Sequence, residues 1–166
     1  LEAWKNKYGD KIVDFGAGKL NNTRTLRNAG VFVSAFEPYF VTTGDTIHKE
    51  KSIEIANKFL DEVESGVEYT SVFISSVFNS VPFMEDRIKI AQIAAALCSP
   101  RGRVVCWCQS NESQQFVITK KHSVTNNARL TFDLDYEPNT VLGDISKHPK
   151  VQKGHTADEL KDIFSR

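Results

Sequence analysis

An excess of charge of one sign is missing from this chain of 166 residues: 21 lysines and arginines balance 21 aspartates and glutamates. No global field therefore draws it to nucleic acid or to an anionic membrane, and a nucleic-acid substrate would need a local patch or a further domain. Long apolar runs are missing too. The longest, such as Val72 to Ile74 and Ala94 to Cys98, are far too short to span a bilayer, and no charged-then-apolar signal segment opens the chain. Cysteine is scarce. Three of them, an odd number, do not make a disulfide framework for a domain of this size, so a reducing, cytoplasmic compartment is expected. The start at Leu1 and the stop at Arg166, just after a helical pattern, read as a piece of a longer protein with further domains.

What is present is ordinary globular material, 40% hydrophobic and 25% charged. That suits a single domain over residues 1–166. Lys11 to Phe15 is a short apolar strand running into Gly16-Ala17-Gly18. Asn21 or Asn22 is placed to cap a helix through Ala29, and Gly30 supplies its left-handed stop. Val31 to Phe36 is β-branched and aromatic, a second strand ended by Glu37-Pro38-Tyr39. From Ile47 to Ser65 a helical period places Ile53, Ala56, Phe59, Leu60 and Val63 on one face.

Tyr69 to Phe78 is a near-continuous apolar run, typical of a parallel strand covered on both faces. Glu85 to Cys98 predicts a helix with Ile88, Ala91, Ala95 and Cys98 inward. Pro100-Arg101-Gly102 then predicts a turn, and Arg103 to Cys108 a further strand. Alternation of strands and helices implies crossovers and a parallel sheet. Residues 109–154 break this rhythm and read as a substrate-side insertion. Within it Leu130, Phe132, Leu134 and Tyr136 alternate as a half-exposed strand, with Phe116 and Ile118 on a partner strand and Thr125-Asn126-Asn127 between. Thr156 and Glu159 form a capping box for a last helix toward Phe164.

In an open parallel sheet, ligands bind beyond the carboxyl ends of the strands. Here those ends carry Asp14-Phe15-Gly16-Ala17-Gly18 and Glu37. The glycines permit a tight turn and close backbone approach, the next helix offers free amides and a positive dipole end, and Glu37, about 20 residues on, is placed to accept from ribose hydroxyls. These parts make an adenosine-ligand site without naming the ligand.

Val13-Asp14-Phe15-Gly16-Ala17-Gly18 resembles the first motif of class I S-adenosylmethionine-dependent methyltransferases, with Leu20 where that family often has a third glycine. Ala35-Phe36-Glu37-Pro38-Tyr39 resembles the second motif. Val72 to Val81 resembles the fourth strand and its cofactor-facing turn, and Ala96 to Gly102 the turn before the fifth. A looser likeness is to methyltransferases found beside DNA-modification systems and in phages. The resemblance implies an α/β, doubly wound, Rossmann-like three-layer sandwich with a mostly parallel sheet, the last two strands falling beyond Arg166.

The resemblance further implies a methyltransferase using S-adenosylmethionine on an unidentified acceptor, nucleic acid or small molecule. Asp14, Phe15, Gly16, Ala17 and Gly18 would face its methionine half. Glu37 would take the ribose, Pro38 and Tyr39 would flank the adenine, and Ser75 and Ser76 would line the transfer side. Asp45 is a weak match to the family's further adenine contact. The chain shows neither the Asp/Asn-Pro-Pro-Tyr/Phe turn of amino-methylating DNA enzymes nor the Pro-Cys of cytosine-C5 enzymes, so those chemistries are disfavoured and no catalytic residue is assigned.

Cys106-Trp107-Cys108 lacks further ligands at metal spacing, with His122, His148 and His155 scattered, so no metal is expected. Lys147, His148, Lys150 and Lys153 read as a solvated basic run, with a phosphate-contacting edge as the alternative. Phe116, Phe132 and Tyr136 read as hairpin packing or as a lid. Two other readings of the whole chain stay open. A NAD(P)-binding oxidoreductase would use Glu37 equally well, although its fingerprint wants glycine at Asn21, and a non-catalytic interaction domain would keep the fold alone.

Overall fold

Short β-branched and aromatic runs form four strands: β1 (Lys11–Phe15), β2 (Phe32–Phe36), β3 (Tyr69–Ser75) and β4 (Cys98–Trp107). They make one sheet in the order β2-β1-β3-β4, and β1 runs parallel to both β2 and β3. Ile12, Val13, Val72 and Ile74 on these strands are fully buried, as parallel strands require. The computed structural model describes residues 1–42, 46–114, 129–130, 139–143 and 150–166. The chain divides into two units, Leu1–Ser75 with Ile93–Cys106, and Ser76–Gln92 with Trp107–Arg166.

The first unit has a Rossmann-like α/β fold, as the sequence resemblance implies. From β1 the chain passes through α2 (Asn21–Asn28) to β2, then through α3 (Lys49–Glu64) to β3 on the other side of β1. The direction of sheet growth therefore reverses at β1. That reversal opens a crevice at the carboxyl end of β1, where the glycine turn follows.

Ahead of it lies α1 (Glu2–Tyr8), a helix of 7 residues absent from the expectations because it is too short to show a repeated apolar period. It is held by aromatics instead: Trp4 stacks on Phe73 at 6.1 Å and Tyr8 meets the same ring edge-on at 5.2 Å. Across the sheet, Ser34 Oγ on β2 and Tyr69 Oη on β3 form a fully buried hydrogen bond of 2.7 Å, spanning the strand between them. Burial pushes the Tyr69 hydroxyl pKa up, against the pull of that bond.

Helical faces are where periodicity misleads. On α3 the buried residues are Ser52, Ile55 and Phe59, whereas Ile53 and Leu60 are exposed. Ser52, outside the expected face, is buried with its Oγ anchored, donating to the His48 carbonyl and accepting from the Phe40 amide. On α4 (Met84–Leu97) the buried stripe is Arg87, Ala91 and Ala94, and Ala95 is exposed. The Pro100–Gly102 segment is no separate turn but part of β4.

The second unit holds a 3₁₀ turn (Phe78–Ser80), an antiparallel sheet of β5 (Arg129–Leu130), β6 (Thr140–Gly143) and β7 (Lys150–Lys153), and α5 (Ala157–Ser165). Leu130 lies opposite Leu142. The expected partner strand at Phe116 and Ile118, its Thr125-Asn126-Asn127 connection, and Phe132, Leu134 and Tyr136 lie outside the described residues. Thr156 caps α5, its Oγ1 accepting from the Glu159 amide at 3.1 Å. The other half of the capping box does not form, because the Glu159 side chain is drawn into a buried charge cluster.

In that cluster Glu159 Oε1 lies 3.0 Å from Lys153 Nζ and 3.5 Å from Arg87 Nη2, and Glu159 Oε2 lies 3.3 Å from His155 Nδ1. The side chains of Lys153, Arg87 and His155 are fully buried. Burial alone would raise the Glu159 carboxyl pKa, but the His155 ring and the Lys153 ammonium beside it outweigh that and lower it to about 2. Lys153 therefore belongs to the interior and not to a solvated basic run. The charges of Lys147 and His148 lie outside the described residues.

Candidate functional site

The carboxyl end of β1 and that of β2 are stitched together by the backbone itself. The amides of Gly16 and Ala17 both donate to the Phe36 carbonyl, at 2.8 and 3.0 Å. One residue further along each segment, the Gly18 amide donates to Glu37 Oε2 at 2.6 Å. The Tyr39 amide donates to Glu37 Oε1 at 2.9 Å. The glycine turn and the acidic residue thus share one place, and Glu37 is 8% exposed there. A carboxylate has about four acceptor positions, so two amide contacts leave others for a ligand's hydroxyls.

Gly16 and Gly18 have φ of 77° and 53°, values that side-chain-bearing residues rarely adopt. At Gly18 a Cβ would meet no atom within 4 Å, so the backbone there borders open space. Leu20 occupies the place of the family's third glycine, yet its backbone is left-handed, φ 59° and ψ 23°. The expected caps Asn21 and Asn22 are instead the first helical residues of α2, with Leu20 in the capping position. A left-handed L-residue costs ~1–2 kcal/mol. Leu20→Gly is therefore expected to be more stable than Leu20→Ala by about 1 kcal/mol in urea denaturation. The reverse order, which helix propensity alone would give, would remove the strain argument.

Asp14, buried beneath the turn, reaches α2. Its Oδ2 accepts from Thr23 Oγ1 at 2.6 Å, with Thr23 fully buried on the helix's first turn. Burial raises the Asp14 pKa, opposed by the hydrogen bonds from the Thr23 side chain and amide and by the Arg27 charge. Asp14 thus ties the helix start to β1, a job that the sequence motif alone did not reveal. Phe15 is buried and tilts against Phe36 at 4.9 Å, a packing position. Pro38 and Tyr39 are exposed, Tyr39 by 68%. Ser75 ends β3, half-buried. Asp45 lies outside the described residues.

Ser76 is the first residue of the second unit, exposed, with φ of 60°, and its amide donates to the Trp107 carbonyl at 2.8 Å. It lines a cavity of about 640 Å³ within that unit, which no motif announces. Cys106 and Cys108 are half-buried and form no disulfide. Among the described residues no group of three or more His, Cys, Asp and Glu is placed to hold a metal ion, and no helix is long and apolar enough to cross a membrane.

No protein-family model matches the chain. No curated protein matches it in sequence. Among solved structures it is similar to the PH0226 protein from Pyrococcus horikoshii OT3, with 10% identity, a TM-score of 0.61, and coverage of 99% of this chain and 77% of that one. It is also similar to the protein of a DhpI-SAM-HEP complex, at 12% identity, a TM-score of 0.47, and coverage of 98% and 73%. The fold is that of the first of these: a Rossmann-like α/β fold, with the glycine turn and Glu37 brought together at its switch point.

Proposed function

We propose that the chain is an S-adenosylmethionine-dependent methyltransferase domain that moves a methyl group to an acceptor. One observation carries the reading: the 2.6 Å bond from the Gly18 amide to the Glu37 carboxylate at the sheet's switch point. The donor set suits the cofactor. Glu37 keeps acceptor positions for the ribose diol, the open space at Gly18 admits a ligand against bare backbone, and exposed Tyr39 and Pro38 offer flat apolar surface for an adenine. Asp14 acts as a positioning residue, holding the start of α2 beside the turn through Thr23.

When bound, the cofactor supplies a methyl carbon on a sulfonium, whose departure as a neutral thioether needs no acid. The chain's own work is then to bind, orient and exclude water. A general base is required only where the acceptor must lose a proton.

The test is thermal stability in the presence of S-adenosylhomocysteine, S-adenosylmethionine and NAD. A ligand at about 100 times its dissociation constant adds ~2.7 kcal/mol, a shift of several degrees for a chain of this size. Stabilisation by both sulfur compounds is expected. Stabilisation by NAD alone would give the oxidoreductase reading instead, and silence from all three would leave an interaction domain.

A further inference from the structure

We propose that the cavity of the second unit is a binding site for a nucleobase ring. Among the described residues its wall is drawn from Asn79, Gln109, Gln152, Trp107, four serines and one cysteine. Among the described residues no charged side chain lines it. A phosphate or carboxylate ligand would call for arginine or lysine, and an ammonium for carboxylates, whereas the described part of the wall suits a neutral ring. Its volume of about 640 Å³ lies within the small-molecule range.

The wall is organised rather than incidental. Asn79 is 5% exposed and joins three segments, its Nδ2 donating to the Lys153 carbonyl at 2.7 Å and its Oδ1 accepting from the Gln109 amide at 3.0 Å. The Gln109 side chain is steadied by Nε2 donating to Ser113 Oγ at 3.2 Å. Trp107, one of the lining residues, is 64% exposed, a large apolar surface for a side chain anchored on a strand.

The amide of Gln152, another lining residue, carries a donor beside an acceptor, the complement of a base edge. An exposed aromatic ring supplies the stacking partner that every base accepts. A flat, neutral ring with donors and acceptors on its rim satisfies both. The binding claim does not depend on the methyltransferase reading.

The experiment is ¹⁵N-correlation spectroscopy of the intact chain titrated with cytidine, uridine and guanosine, with ribose and methyl glucoside as controls. Trp107 and Trp4 give separate indole signals, the former assigned by its loss in Trp107→Leu. A saturable shift of the Trp107 signal with at least one nucleoside, and none with the sugars, is expected. By calorimetry, Trp107→Leu should weaken that nucleoside about tenfold, and Gln152→Ala severalfold. A shift with methyl glucoside in place of the nucleosides, no saturable response to any nucleoside, or an unchanged affinity in Trp107→Leu would each overturn the site. Glu37→Ala should keep the nucleoside response, so failure to bind S-adenosylhomocysteine refutes the cofactor reading separately from this one.

Discussion

Glu159→Gln is expected to cost the protein about 3 kcal/mol in urea denaturation near neutral pH, the largest stability loss of any isosteric change at a charged residue described above. The substitution keeps the volume and removes the carboxylate that, among the described residues, Lys153, Arg87 and His155 share, all buried. The lysine and arginine charges left water on folding, and this carboxylate repays part of that desolvation. A loss below ~0.5 kcal/mol would show that other groups neutralise the cluster. The same residue sets an acid response. Its carboxyl falls from an ordinary 4.5 to about 2, so the folded state holds the ionised form more tightly than the unfolded chain does. The stability it contributes is fully present above about pH 4.5 and is lost as pH drops toward 2. The gap between wild type and Glu159→Gln should therefore narrow across that window. A gap constant with pH would deny that ionised Glu159 is its source.

Glu37→Ala is expected to weaken S-adenosylhomocysteine by about 100-fold while the fold survives, since charged hydrogen bonds to two ribose hydroxyls are each worth ~1.5 kcal/mol or more. Glu37→Gln should fall between, because one amide oxygen still accepts. Circular dichroism and a thermal scan check the fold, and calorimetry the affinity. The Gly18 and Tyr39 amides lose their acceptor in the alanine variant, so a modest drop in melting temperature accompanies the loss of binding. Unchanged affinity would remove Glu37 from the ribose and leave it as a tie for the glycine turn alone.

Most of the first unit was legible in the sequence because its signals are local. A β-branched run ending in glycines, an acid at the next strand's tip and an apolar third run suffice to place β1, β2, β3 and the turn between them. Leu20 shows where local reading stops. Its side chain suggested a broken motif, but the backbone takes the glycine's conformation anyway. Asp14 shows another limit, since only the fold brings Thr23 beneath it. Helical faces misled where polar groups were buried with partners: Ser52 and Arg87 occupy positions that a hydropathy count assigns to solvent.

The second unit was least legible because its interior is assembled from distant, polar pieces. Asn79, Lys153, His155 and Glu159 have no spacing that announces them, and α5 was found only through its Thr156 cap. The cavity wall likewise draws on three stretches of chain, each unremarkable in isolation.

The hydroxyl pair of Ser34 and Tyr69 has a consequence for how the chain finds its strand order. Neither group can be satisfied unless β1 lies between their two strands in this alignment. A slip of β2 by one residue would turn Ser34 to the opposite side of the sheet and strand two dehydrated oxygens, at ~1–3 kcal/mol each. Apolar neighbours such as Val33 and Val72 tolerate many pairings. This pair tolerates one, and so acts as a proofreader of sheet assembly.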